Sequence, residues 1–354
     1  MGLPQILIEF KTKGTTAVKR SARGIVALIL KDDTDTSFTS KAYRSITEIG
    51  ENEWKPENKD YIQKAFLGAP SKVLVERVAT TAENFGEALQ RLENKKWNYL
   101  AVPEIGEHAA AVEAWVKGER NNAKKTFKAV LPSSGSDHEG IINFATAGIT
   151  AGGKAYSTAE YCVRIAGILA GIPFSRSATY YVLPEVESIT ESTTTTPDED
   201  INAGKLILIN DGEKIKIGRA VNSLVTTTAD KGEDFKKVKI VDAVDLVRDD
   251  IRDTFDGGYV GNVVNSYDNK VLFLAAVNAY FKELARMDVL DPDYDNLASI
   301  DVEAQRIYLE GKGIDVSGMD EQQIKEANTG SMVFAAAAVK FLDAMEDLKF
   351  TIEM

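Results

Sequence analysis

Residues 72–102, KVLVERVATTAENFGEALQRLENKKWNYLAV, hold one complete structural cycle. Lys72 to Val78 is rich in β-branched residues and predicts a strand, Ala82 to Glu93 has helical spacing, and Tyr99 to Val102 predicts the next strand. Strand, helix, strand at this spacing is what a parallel crossover requires. The pattern continues on both sides. Upstream lie a strand from Gly24 to Leu30 (GIVALIL) and a helix from Pro56 to Leu67. Downstream come a helix from His108 to Arg120, a strand from Thr126 to Leu131 and another from Gly140 to Ala147. A helix from Thr158 to Ala170 follows, with Ile165, Ile168 and Leu169 on one face. Residues 70–185 therefore predict an open α/β sheet.

Between Leu183 and Gly204 the composition changes. Glu185, Glu187, Glu191, Asp198, Glu199 and Asp200 accumulate without a Lys or Arg, around the run Thr193 to Thr196 and Pro197. Such a stretch has little to bury and repels itself, which predicts an exposed connection between domains. Two domains also suit a chain of 354 residues. Beyond the connection, Lys205 to Ile209 and Lys214 to Ile217 flank Asp211-Gly212, a hairpin signal. Val241 to Phe255 and Val271 to Met287 predict amphipathic helices, and Met332 to Ile352 predicts two further segments.

Charge and composition exclude several functions. With 42 basic and 54 acidic side chains the net charge is -12, so nucleic-acid phosphate and anionic lipid repel the chain. One cysteine, Cys162, forms no internal disulfide, and with only His108 and His138 a Cys/His zinc site lacks ligands. No metal or cofactor is expected. The apolar stretch from Ile6 to Phe10 is too short for a signal peptide, and no window approaches the roughly 18 apolar residues of a membrane span. Folding in the cytoplasm of the producing cell is the expectation.

Catalytic patterns are incomplete. Residues 148–155, GITAGGKA, have the glycine and lysine spacing of a phosphate-binding loop, but Ala155 stands where the magnesium ligand Ser or Thr belongs. A glycine-rich turn is predicted; an α/β enzyme binding nucleotide through Gly148 to Lys154 is the alternative. His108 follows Glu107 and His138 follows Asp137 without a triad, and Ser134 and Ser136 flank Gly135 without forming a nucleophile elbow. Asp249-Asp250, between Arg248 and Arg252, reads as a solvated helix face. The basic run from Lys231 to Lys239 is broken by Glu233 and Asp234 and suits an acidic protein surface better than nucleic acid.

The two ends of the chain carry a clearer signal. Ile6, Ile8 and Phe10 alternate with Leu7, Glu9 and Lys11, while Leu348, Phe350 and Ile352 alternate with Lys349, Thr351 and Glu353. Both predict half-buried strands. Terminal segments usually fray, so an apolar strand there needs a partner. That partner is either the chain's own sheet or, by strand addition, another molecule. Behind the first strand, Lys11 to Thr16 with Gly14 forms a loose linker able to reach away from its own domain.

Residues 156–173, YSTAEYCVRIAGILAGIP, continued by 177–186, SATYYVLPEV, resemble the sheath protein of contractile phage tails and related R-type bacteriocins. Three later segments agree in order: Gly218 to Thr228 (GRAVNSLVTTT), Asp249 to Asn265 with Tyr259-Val-Gly261, and Val339 to Met354. The chain is short for that family.

The resemblance implies a subtilisin-like, non-catalytic α/β domain over residues 21–195. It also implies a smaller α+β C-terminal domain over 196–345 that faces the inner tube, and extended arm strands within 1–20 and 346–354. The arms, carrying Ile6, Leu7, Ile8, Phe10, Leu348, Phe350 and Ile352, would join subunits. Tube-facing candidates are Lys282, Glu283 and Arg286 in one helical segment, Glu321 and Lys325 in another, and Lys231, Lys236 and Lys237. The implied assembly is a homo-oligomer of six-subunit rings in a helical lattice around the tail tube protein, bounded by baseplate and tail terminator proteins. It would need no enzymatic activity, cofactor, direct nucleic-acid contact or membrane insertion. It would assemble in the bacterial cytoplasm and end as part of a phage tail or an extracellular bacteriocin particle.

Overall fold

A computed structural model describes residues 18 and 24–354. They form two compact units: residues 24–246 with Asp343–Met354, and Val247–Leu342.

The larger unit is built from β1 (Ile25–Lys31), β2 (Ser40–Tyr43), α1 (Pro56–Phe66), β3 (Lys72–Val78), α2 (Gly86–Glu93), β4 (Tyr99–Ala101), α3 (Ala109–Asn121), β5 (Lys128–Pro132) and β6 (Ile141–Phe144). It continues through β7 (Ala147–Ala151), β8 (Lys154–Tyr156), α4 (Thr158–Gly171), β9 (Val186–Thr190), α5 (Pro197–Asn202), β10 (Lys205–Leu206), β11 (Leu208–Asn210) and β12 (Ile215–Ile217). Its main sheet has the order β10-β6-β5-β4-β1-β3-β2. All neighbours are parallel except β2, which pairs antiparallel with β3 at one edge.

The central strand shows why this sequence makes a doubly covered sheet. Ile25 to Leu30 are all buried, and alternate residues enter different cores. Val26, Leu28 and Leu30 pack in the cluster that contains Ile165 and Ile168 of α4. Ile25, Ala27 and Ile29 pack with Leu89 and Leu92 of α2 and Val112 and Val116 of α3. A continuous apolar run is the signature of a strand with helices on both faces. Helix α4 begins with a capping box between Ser157 and Glu160. It presses so closely on α1 that a Cβ at Gly167 would lie 2.2 Å from the Ala65 carbonyl oxygen.

The glycine-rich turn expected at 148–154 is present as a β-hairpin, and the alternative phosphate loop is not formed: β7 and β8 pair antiparallel, and Gly152 and Gly153 turn between them at φ of 61° and 71°. Lys154 lies within β8 and its Nζ donates to Asp60 Oδ2 at 2.8 Å. The stretch from Gly140 to Ala147 is divided, since β6 joins the main sheet and β7 a separate three-stranded sheet, β8-β7-β9. The compact units divide near 246/247, whereas the resemblance implies domains over 21–195 and 196–345. The acidic stretch folds locally: Thr196 and Glu199 cap α5 reciprocally, and Asp200 accepts from Lys205 at 2.8 Å. Immediately afterwards β10 adds to the edge of the main sheet, so residues 196–246 belong to the larger unit. The predicted hairpin is present as β11 and β12.

Helix α6 (Val238–Gly258) begins in the larger unit and ends in the smaller. The smaller unit continues with α7 (Tyr267–Arg286), β13 (Leu297–Ile300), α8 (Val302–Gly311), α9 (Glu321–Glu326) and β14 (Ala335–Ala338). Phe273, Leu274, Val277, Phe281 and Leu284 of α7 are buried. The expected solvated pair at 249–250 is split. Asp249 meets Arg252, whereas Asp250 is fully buried and accepts from Tyr280 Oη at 2.6 Å. One turn of α6 thus presents adjacent carboxylates to opposite environments.

Candidate assembly surfaces

Among the described residues the smaller unit contains a sheet of two strands, β13 and β14, paired antiparallel with Ala298 opposite Ala337 and Ile300 opposite Ala335. Asp301 N–H donates to the Phe334 carbonyl at 3.1 Å, and beyond β14 Asp291 N–H donates to the Lys340 carbonyl at 2.8 Å. Leu342 N–H donates to the Val289 carbonyl at 3.0 Å. Even-numbered residues from 334 to 342 therefore turn their backbone groups inward. By the alternation of an antiparallel ladder, Ala335, Ala337, Val339 and Phe341 turn theirs outward, along an edge that no strand of the described chain covers. All four alanines of β14 are exposed.

Directly after this edge the chain is clamped to the larger unit. Asp343 pairs with Lys237, Glu346 accepts from Ser177 Oγ at 2.8 Å and lies 3.5 Å from Arg219, and Asp347 accepts from Arg219 at 2.5 Å. The bond to Asp347 raises the Arg219 pKa further. For Lys237, burial pulls the amine's pKa down, but Asp343 outweighs it and leaves it above the ordinary lysine value. Past Asp347 the support ends. Leu348, Phe350 and Ile352 are 89%, 75% and 73% exposed and lie in no strand. The half-buried strand expected there is not formed within this chain, because no sheet of the described residues receives it. The other arm residues, Ile6, Leu7, Ile8 and Phe10, lie outside the described residues.

The candidate tube contacts divide between the units. Lys231, Lys236 and Lys237 belong to the larger unit, and all three make ion pairs within it. Lys231 meets Glu139 at 2.9 Å, Lys236 meets Glu233 at 2.9 Å, and Lys237 meets Asp343. In the smaller unit, Lys282, Glu283 and Arg286 are exposed on α7, and Glu321 and Lys325 pair along α9 at 2.5 Å.

A buried ionic network in the larger unit escaped the sequence. Asp245 of α6 accepts from Arg120 of α3 at 3.0 and 3.1 Å and from Lys128 of β5 at 2.6 Å. Asp242, one turn earlier, accepts from Tyr99 Oη and lies 3.1 Å from Lys128. Glu139 extends the network to Arg120 and Lys231. Partners more than a hundred residues apart leave no local signal.

Of the reactive side chains considered earlier, His138 and Cys162 are core residues, whereas His108 and Ser136 are half-buried. Burial pushes the His138 imidazole down to about 4, and its Nδ1 accepts from the Gly140 N–H at 3.0 Å. Burial likewise pushes the Cys162 thiol well above the ordinary range. Among the described residues no group of three or more His, Cys, Asp or Glu is placed to hold a metal ion, and no helix is long and apolar enough to cross a membrane.

Comparison with known proteins agrees with this architecture. Residues 55–223 match the family model for the phage tail sheath protein central domain, and residues 230–354 match that for the phage tail sheath C-terminal domain. The tail sheath protein of Clostridium phage phiCD119 is 40% identical over 364 aligned positions, which cover 100% of this chain and 99% of that protein. Among solved structures, the sheath tail protein of Desulfitobacterium hafniense superposes with a TM-score of 0.69 at 17% identity, covering 84% of this chain and 94% of that one. The helical sheath of the anti-feeding prophage in its contracted state gives 0.72 at 12% identity, covering 100% and 99%. These two likenesses bear on the fold, whereas the family models and the full-length phage relative bear on descent. By that descent the chain belongs to the phage tail sheath family.

Proposed function

We propose that this chain is the polymerising subunit of a contractile sheath, fastened to its neighbours by strand exchange. The observation that carries the reading is a complementary pair on one molecule. An open backbone edge runs from Ala335 to Phe341, and an apolar, alternating segment from Leu348 to Ile352 pairs with no strand among the described residues. Each is unfavourable alone: an uncovered edge exposes unpaired backbone groups, and a two-stranded ribbon is marginal in water. Lending the segment to a neighbour's edge satisfies both through backbone hydrogen bonds. The N-terminal strand carrying Ile6, Leu7, Ile8 and Phe10 is read as a second arm of the same kind.

Joints of this kind explain how a lattice moves without coming apart. Subunits rotate and shift outward as nearly rigid bodies while the connections to the arms absorb the change. Contraction needs an extended state of higher free energy than the contracted one. An extra 100–200 Å² of interface per subunit, at about 25 cal/mol/Å², supplies a few kcal/mol, and no nucleotide is required. The larger unit is read as a subtilisin-like scaffold without catalysis. Lys282, Glu283, Arg286, Glu321 and Lys325 are the tube-facing candidates of the smaller unit. Lys231, Lys236 and Lys237 are weaker ones, since their charges are engaged. Six-subunit rings around a tail tube protein, ended by baseplate and terminator proteins and assembled in the bacterial cytoplasm, complete the reading.

The test is deletion of Lys349–Met354. The truncated subunit is expected to melt within a degree or two of the full chain and to form no tubes or stacked rings in electron micrographs. An unfolded or insoluble product would place the segment within its own subunit and remove the joint.

A further inference from the structure

The open edge leads into a cavity that no part of the described chain fills. It has a volume of about 490 Å³ and is lined within the smaller unit by Phe255, Tyr259, Val264, Phe273 and Val333. The three rings pack edge to face or stacked at centroid distances of 5.0–6.1 Å, which makes a firm apolar wall. Val264 at the rim is 76% exposed. Val333 lies two residues before Ala335, so the cavity sits where the outward row of backbone groups begins, about 7 Å along the strand.

The charge of this wall has one source. Lys270 is the lining residue with an ionisable amine, it is 3% exposed, and its Nζ reaches Gln305 Oε1 at 3.2 Å and Thr329 Oγ1 at 3.3 Å, both neutral. A buried ammonium with neutral partners favours an incoming carboxylate and disfavours a second cation. The arm carries one of each. Lys349 lies beside Leu348 at its start, and Glu353 lies beside Ile352 at its end.

The geometry points to a socket for the end of a second copy's arm: Ile352 is the last paired residue and enters the cavity, Glu353 turns out of the strand beyond it towards Lys270, and the arm therefore runs antiparallel to β14. The inference rests on the strand-exchange reading and adds to it a direction and a register. With Ile352 opposite Ala335, Phe350 falls opposite Ala337 and Leu348 opposite Val339, so the three apolar arm residues meet the first three of the four positions whose backbone groups face outward. The reverse direction would place Lys349 against Lys270 and leave the cavity to Leu348.

Cross-linking of assembled full-length protein tests the socket separately from the strand. The native Cys162 is buried and does not compete. Three paired substitutions are treated with a short bismaleimide: Ile352→Cys with Val264→Cys, Leu348→Cys with Val264→Cys, and Phe350→Cys with Ala337→Cys. The first and third are expected to give intermolecular dimers and ladders, and the second at least tenfold less. Dimers from the second pair in place of the first would reverse the arm and overturn the socket. Dimers from the third pair alone would leave strand exchange standing and remove the socket. No dimers from any pair in assembled tubes would remove both. Independently of cross-linking, Val264→Glu should raise the critical concentration for assembly at least tenfold, and an unchanged value would overturn the proposal.

Discussion

The two sheets of this protein are built on opposite plans. The seven-stranded sheet of the larger unit has helices over both faces, a central strand buried from Ile25 to Leu30, and short edge strands, β2 and β10. The sheet of the smaller unit has two strands, one of them four exposed alanines, and an edge of outward backbone groups continuing to Phe341. The first is finished within the chain. On the strand-exchange proposal the second is finished by addition of an arm, and in this chain the segment leading to that arm is tied to the larger unit through Asp343, Glu346 and Asp347. The proposal thereby assigns stability and assembly to different sheets, so substitutions should affect one without the other.

The largest expected effect is on assembly alone. Ala337→Pro removes one outward N–H while sparing the inward hydrogen bonds made by even-numbered residues, so polymerisation should be lost at a stability cost within about 1 kcal/mol. Micrographs together with denaturant melts check both halves. A variant that assembles normally would erase the contrast between the sheets.

Next comes an effect on stability alone. Asp245→Ala leaves Arg120 and Lys128 buried without their shared carboxylate. The expected loss is about 3–5 kcal/mol, or roughly 6–20 °C in melting temperature, with tubes still forming below the new transition. Calorimetry reads the first, and electron microscopy at low temperature the second.

A smaller effect depends on pH. The imidazole of His138 is held near 4, below its ordinary 6.5, so on acidification the unfolded chain takes up the proton first. The contribution is complete above pH 6.5 and is lost as the pH falls towards 4, at most about 3 kcal/mol. His138→Asn should flatten urea-melt stability across that interval. Below it the carboxylates take over, as with Asp137, held down to about 2 by hydrogen bonds from Thr226 and Val225.

The smallest effect concerns the clamp. Lys237 and Asp343 are each about a third exposed, so Lys237→Ala should cost under about 1 kcal/mol and less still in high salt. Its consequence should appear instead as faster proteolysis beyond Leu342, and an unchanged cleavage rate would show that Arg219 holds the segment alone.

The sequence by itself determined the parallel sheet, because near-continuous β-branched runs and helical spacings are local patterns that survive in any environment. Lys72 to Val78 and the hairpin around Asp211-Gly212 were legible for that reason. It also determined that the last residues want a strand partner, since the alternation of Leu348, Phe350 and Ile352 needs no coordinates to be seen. Tertiary structure alone decided where backbone is left over. The open edge depends on the pairing of residues 289–301 with 334–342, and the cavity depends on three rings brought together from α6, the loop after it and α7. It alone decided the fate of adjacent carboxylates too: Asp250 is buried against Tyr280 while Asp249 meets Arg252. The division into compact units follows the same logic. Acidic composition predicts solvent, but a capping box and two residues of parallel ladder drew that stretch into the larger unit. A local pattern fixes what a segment wants, and only the packed chain shows which of those wants remain unmet and are left for another molecule.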